Sequence, residues 1–465
     1  MTHYDPTDES VKQHAVPDWF HDAKLGIFIH WGLYSVPAWA PPTGPLHDVV
    51  AKEGWQGWFG RNPYAEWYGN SVRVPGSPTA AYHAEHYGDM PYAGFAEEFN
   101  QGAAGWNPAA WAELFAQAGA RYAVLTTKHH DGFLLWPSAT PNPFIQGYHA
   151  QRDLVGDLTE AVRAQGLKMG LYYSGGLDWT FNDKVIADIV DLFTGVPQSQ
   201  EYVEYSNAHI RELTERYAPS VLWNDIAYPA AANLPELFAF YYNSVPEGVI
   251  NDRFMQGPPP GVDAADAAAA IGEGASPSGA HWDFRTPEYA VYPDIQPHKW
   301  ESCRGLGFSF GYNRRETVDD MLSPVELVRS FIDVVSKNGN LLINVGPKGD
   351  GTIPAEQAER LLALGAWLKV NGEAIYGTRP WERAEGRTSD GTAVRFTRGK
   401  DAFYAVLMDT PRASRVRIEG LTVPQGAVVT LLGHEAPLAW EQEGDGLVVD
   451  LPALPEAPAH ALKVA

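Results

Sequence analysis

The chain has 465 residues, 45% hydrophobic and 20% charged, a balance ordinary for a soluble globular protein with room for a large domain and a smaller one. Fifty-seven acidic against 34 basic residues leave a formal charge of −23, which repels nucleic acid and anionic membrane and suits a neutral substrate. A single cysteine, Cys303, excludes an intrachain disulfide framework or a cysteine zinc site.

Residues 1–18 are polar and acidic without an apolar core, so they read as a loose arm rather than a signal peptide, and a cytoplasmic location is the expectation. No apolar run is long enough to cross a bilayer. A first strand, from Leu25, ends in His30. Residues 33–105 are rich in Pro, Gly and aromatics and show no helix period. A connection that long is expected to build a wall of a site, and it carries Glu66 and Trp67.

A regular alternation follows. Asn107 and Pro108 open a helix with Trp111, Leu114, Phe115 and Ala118 as its apolar stripe, stopped by Gly119. A strand at 122–128 runs into His129, His130 and Asp131. Helix 153–165, strand 167–174 and helix 198–218 lead to Val221, Leu222 and Trp223, a short buried strand ending in Asp225. Helix 233–245 and strand 248–254 come next, then a low-complexity stretch, 255–280, expected to be a mobile loop. Residues 281–289 read as strand then loop, and 306–314 as another strand. Ser323 and Glu326 form a capping box for a helix with Val325, Val328, Ile332 and Val335 on one face. Strand 340–347 and a helix at 354–370, with Leu361, Leu364 and Leu368 inward, close the pattern.

Strands alternating with helices predict a parallel sheet with crossover helices. About eight strand candidates fit an α/β fold of the (β/α)8-like, TIM-type barrel class over residues 1–375. A doubly wound open sheet is the runner-up, without a GxGxxG fingerprint to support it. Beyond 375 only short alternating runs remain, which predicts a small C-terminal β-sandwich over 376–465.

Polar residues gather at the predicted strand ends: His30, His129, His130, Tyr172 or Tyr173, Asp225, Arg253 and Glu288. Barrel enzymes place their chemistry at that face. Taken alone, Asp225 would more often be a turn or helix-cap residue, and each His a hydrogen-bonded loop residue; seven in phase weigh against that. Three chemistries compete. Metal hydrolysis would use His30, His129, His130 and Asp131, but adjacent histidines on a strand point to opposite sides. Acyl transfer lacks a GxSxG elbow. Glycoside hydrolysis needs two carboxylates with His, Arg and Trp around a sugar. Sixteen Trp and 22 Tyr, several in loop-like sequence (Trp39, Trp55, Trp58, Trp67, Trp106, Trp179, Trp282), suit that last chemistry, although loop anchoring accounts for many.

In order along the chain, GIFIHWGLYSVPAWA (26–40), EWY (66–68), LTTKHHDGF (125–133), YYSGGLDW (172–179), LWND (222–225), VINDR (249–253), KWE (299–301), FGYNR (310–314) and NGEAIYGTRPW (371–381) resemble the α-L-fucosidases of glycoside hydrolase family 29. The resemblance covers nearly the whole chain. It implies a retaining exo-glycosidase that removes terminal α-L-fucosyl residues from glycans or glycosides, with no cofactor and no metal. By position it implies Asp225 as the nucleophile and His30, Glu66, Trp67, His129, His130, Tyr172, Trp223 and Arg253 as fucose-binding residues. Many members have Gly after the nucleophile; Ile226 here suggests a subgroup. For the acid/base, Glu288 is preferred, with Glu301 and Asp283 as alternatives; Glu301 could instead be a buried partner of Arg304 or Lys299. Retention predicts two carboxyl groups about 5–5.5 Å apart. A rival of another class is a non-catalytic carbohydrate-binding relative, against which the intact Asp225 argues.

Overall fold

A computed structural model of the chain describes residues 2–257 and 279–465. Residues 258–278 of the expected mobile loop lie outside the described residues.

Seven parallel strands form one curled sheet: β1 (Leu25–Ile29), β2 (Tyr122–Lys128), β3 (Lys168–Ser174), β4 (Val221–Asp225), β5 (Val249–Ile250), β6 (Trp300–Gly305) and β7 (Gly339–Val345). Their spatial order is β5-β4-β3-β2-β1-β7-β6. Nearly every strand residue is buried, as expected when helices cover a parallel sheet. The inner face is filled by Phe28, Tyr122, Val124, Tyr172, Val221, Trp223 and Leu342, with Phe20 plugging one end. Leu25, Ile27, Leu125, Leu171, Leu222 and Ile343 face outward into the helix layer.

Segment 283–289 lies between β5 and β6 and is tied to both. Asn251 forms a parallel bridge with Phe284, and Arg285 and Glu288 do so with Trp300 and Cys303. The predicted 281–289 strand is thus reduced to bridges, and the strand expected over 248–254 is a two-residue ladder. The run at 306–314 is not a strand. Its Phe308 and Ser309 amides donate to the Glu316 carboxylate at 2.8 and 2.7 Å, so a side chain takes the place of a ladder partner. The ordered strand there is β6.

The main crossover helices match expectation within about two residues. They are Pro108–Gln117, Leu154–Ala164, Gln200–Tyr217, Leu234–Ser244 and Pro324–Ser336, followed by Ala355–Asn371. Asn107, Asp153, Ser199, Asn233 and Ser323 each accept a first-turn amide, a cap contributing about 1 kcal/mol. In Pro324–Ser336, Val328, Ile332 and Val335 are buried as predicted, but Val325 sits at the exposed start of the helix. Phe331 is buried instead, and its loss to Ala would cost about 3–5 kcal/mol.

Two further expectations are corrected. Residues 33–105 are largely helical, with helices Leu46–Gly60, Pro78–Tyr87 and Phe95–Ala104. The first breaks at Gly54 (φ 71°), and part of its apolar surface faces a pocket, so no single stripe marks it in the sequence. The N-terminal arm is packed: Tyr4 and Val11 are buried, and His14 Nδ1 lies 2.8 Å from Asp283.

After the barrel-like part come two antiparallel sheets. One contains Arg379–Arg387, Ala393–Arg398, Phe403–Leu407, Val429–Leu431 and His460–Val464; the other contains Arg415–Ile418, Trp440–Glu443 and Gly446–Asp450. Phe396, Ala405, Leu462, Ile418 and Leu447 from both sheets share one core. The Trp367 indole N–H donates to Ala459 O at 2.9 Å, and Arg395 pairs with Asp333, fastening these sheets to the helices.

Candidate active site

The carboxyl ends of the parallel strands open into a cavity of about 290 Å³. His30, Glu66, Trp67, His129, His130, Tyr172, Trp223, Asp225, Arg253 and Glu288 all line it.

Strand alternation decides which residues enter. Tyr172 pairs with Trp223 and Ser174 with Asp225 across β3 and β4, so these four share the inner face. Tyr172 OH donates to Asp225 Oδ2 at 2.8 Å, whereas Tyr173 OH meets His209 on the outer side, so of the two tyrosines it is Tyr172 that enters the cavity. Asn224 points outward and stitches the loops: its amide donates to Ala227 O and Arg253 O at 2.9 and 2.8 Å.

Asp225 is nearly buried and fully engaged. Arg253 Nη1 donates to Oδ1 at 2.7 Å, as does the Ile226 amide at 2.8 Å. Ile226 holds a left-handed backbone (φ 66°), a genuine outlier for a β-branched residue that costs on the order of 1–3 kcal/mol. Arg253 also reaches Glu288 Oε2 with Nη2 at 3.2 Å and lies over the Trp223 ring at 4.7 Å from its centroid. Donation from Nε to Thr286 Oγ1 at 3.0 Å and from Nη2 to Thr286 O at 3.2 Å fixes the plane of the guanidinium. The two acidic neighbours among these contacts hold Arg253 firmly protonated despite burial.

The histidines around Asp225 are not cations. Burial lowers His30 to about 4 and pulls His129 and His130 well below the ordinary value, so all three are neutral near pH 7. His30 Nδ1 contacts Asn344 Oδ1 at 2.7 Å and His130 Nδ1 contacts Ser174 Oγ at 2.6 Å. His129 Nδ1 is buried without a protein partner among the described residues. The expectation that His129 and His130 point apart fails: β2 ends at Lys128, the chain turns, and the two rings come within 4.0 Å. Among the described residues, no group of three or more His, Cys, Asp or Glu side chains has the geometry to hold a metal ion.

Glu66 is buried and accepts the Gly311 amide at 2.8 Å and the Ser309 hydroxyl at 3.3 Å; burial raises its pKa to about 8. Of the three acid/base candidates only Glu288 lines the cavity. Its Oε1 accepts the Tyr64 hydroxyl at 3.1 Å. Glu301 is fully buried beneath the floor, and its partners are Tyr122 OH and, at 3.0 Å, the Trp223 indole N–H, not Arg304 or Lys299. Burial raises its pKa to about 7. Asp283 lies away from the cavity, held by His14, by Tyr242 OH at 2.9 Å and by the Ile250 amide at 2.8 Å. Sequence reasoning missed Tyr64 and Asn344. The first stands two residues before Glu66, and the second shares the inward phase of β7 with Leu342.

The α-L-fucosidase family model matches residues 1–373, and that of the α-L-fucosidase C-terminal domain matches 389–465. Tissue α-L-fucosidase from Homo sapiens is 33% identical, the match covering 98% of this chain and 90% of the human one. The structure of a Thermotoga maritima α-L-fucosynthase in complex with α-L-Fuc-(1-2)-β-L-Fuc-N3 is 43% identical, with a TM-score of 0.88 and full coverage of both chains. Thermotoga maritima α-fucosidase in complex with fucose is 42% identical, with a TM-score of 0.85 and full coverage of both. A carboxylate-rich pocket at the strand ends and matches along nearly the whole length lead to one conclusion: this chain belongs to the α-L-fucosidase family.

Proposed function

We propose that the chain hydrolyses terminal α-L-fucosides by double displacement with retention. Asp225 attacks the anomeric carbon while Glu288 gives its proton to the departing oxygen, breaking the glycosidic bond and forming a fucosyl ester on Asp225. Glu288, now a carboxylate, takes a proton from water; the water oxygen attacks the same carbon and releases Asp225.

The observation that carries this reading is the single guanidinium of Arg253, which touches Asp225 with one terminal nitrogen and Glu288 with the other. A group that short between two carboxylates favours the closer spacing of a retaining pair over the wider gap that admits a water. Neutral His30, His129 and His130 offer donors and acceptors to sugar hydroxyls without adding charge. The aromatic floor of Phe28, Trp223 and Phe310 offers an apolar contact for the methyl of a 6-deoxy sugar. Segment 283–289 is read as a frayed eighth strand, giving a (β/α)8-like catalytic part over 1–375 and an accessory β-sandwich over 376–465.

An aryl α-L-fucoside, followed by NMR, tests the mechanism. The first-formed product is expected to be α-L-fucose; initial release of the β anomer would exclude double displacement.

A further inference from the structure

The polar groups sit at the bottom of the cavity, but its mouth is apolar on one side. Trp55 and Phe59, just past the break at Gly54, converge there with Leu46, with Leu192 and Phe193 of helix Ile189–Thr194, and with Ile226. All six belong to one apolar cluster, yet all except Phe59 are only half-buried and line the cavity.

The position of this wall relative to the acid decides its meaning. A leaving group departs from the side of the residue that protonates it. Glu288 accepts from Tyr64 OH, and the Tyr64 ring packs edge-on against Trp58, 5.2 Å between centroids, within the same cluster. At the other end Ile226 follows Asp225 directly. Its left-handed backbone would suit glycine, which would still supply the amide that donates to Asp225 Oδ1. The strained isoleucine therefore adds only its side chain, which lies in the wall.

We propose that this wall is the aglycone subsite and selects apolar, alkyl or aryl, leaving groups over hydrophilic glycan ones. The proposal rests on the α-L-fucosidase reading of the pocket. Methyl and octyl α-L-fucosides test it, because their leaving groups have nearly equal acidity and differ in apolar reach. kcat/KM for the octyl glycoside is expected to exceed that for the methyl glycoside at least tenfold, and to exceed that for a fucosyl disaccharide. In Leu192→Ala/Phe193→Ala, and separately in Trp55→Ala, the octyl advantage is expected to shrink to about threefold or less, through KM, with methyl fucoside turnover kept. Equal rates on octyl and methyl glycosides, a preferred disaccharide, or an octyl advantage intact in both variants would each overturn the proposal. Failure to cleave any fucoside, aryl ones included, would instead overturn the reading on which it stands.

Discussion

Arg253 Nη1 donates to Asp225 Oδ1 at 2.7 Å in a site where the three neighbouring histidines are held neutral by burial. The permanent cation beside the proposed nucleophile is thus an arginine, which keeps its charge at every working pH. The same guanidinium touches Glu288, so any change in charge on one carboxylate is felt by the other.

Replacing Asp225 with Gly should leave a folded protein, because Arg253 retains Glu288 and Thr286. Activity on an aryl fucoside should fall on the order of 10³-fold or more, since both chemical steps use this carboxylate. Turnover within tenfold of the unaltered chain would reject Asp225 as nucleophile.

Glu288→Ala and Glu301→Ala should behave differently. Glu288→Ala should lose activity on fucosides with poor leaving groups. On an activated aryl fucoside its kcat and KM should fall together, and azide should raise turnover and yield α-L-fucosyl azide, the product of retained configuration. Glu301→Ala strands Tyr122 OH and the Trp223 indole, at about 1–3 kcal/mol for each stranded donor, so its melting temperature should drop. Azide rescue of Glu301→Ala and not of Glu288→Ala would reverse the two assignments.

Glu66 provides a test by pH. Its folded pKa, raised to about 8, exceeds its ordinary value of 4.5, so between these values the folded state holds a proton that the unfolded state has released. Stability from this group is therefore complete below about pH 4.5 and declines as pH rises towards 8, by at most about 1.4 kcal/mol per pH unit. Glu66→Gln keeps the shape without the titration. Its melting temperature should gain on that of the unaltered chain as pH rises from 5 to 8. Parallel melting curves across that range would show that Glu66 is ionised in the fold.

Chelation should leave activity unchanged, because among the described residues no three His, Cys, Asp or Glu side chains are placed to hold a metal ion together. Activity lost to a chelator and restored by zinc would reassign the histidines as ligands.

Much of the fold and of the site is legible in the sequence. Long periodic helices with Asn, Asp or Ser caps, buried strands and the order of polar residues at strand ends follow from local chemistry, since caps and periodicity act over a few neighbouring residues. Asp225, Arg253 and the site histidines were named on that basis together with the family resemblance. The helices over 46–104 were not, because their apolar residues face a kinked turn and a pocket rather than one core stripe. Three pairings were decided only in three dimensions: Tyr172 over Tyr173, Glu288 at the cavity with Glu301 beneath it, and His129 beside His130. Each depends on where a strand stops or on contacts between residues far apart in the chain: Trp223 and Glu301 are 78 positions apart, Tyr64 and Glu288 are 224. The sequence determined which chemical groups are present and the pattern that folds them. Only the folded sheet determined which groups meet, because burial, charge state and hydrogen-bond partner belong to the assembled pocket and not to any segment of it.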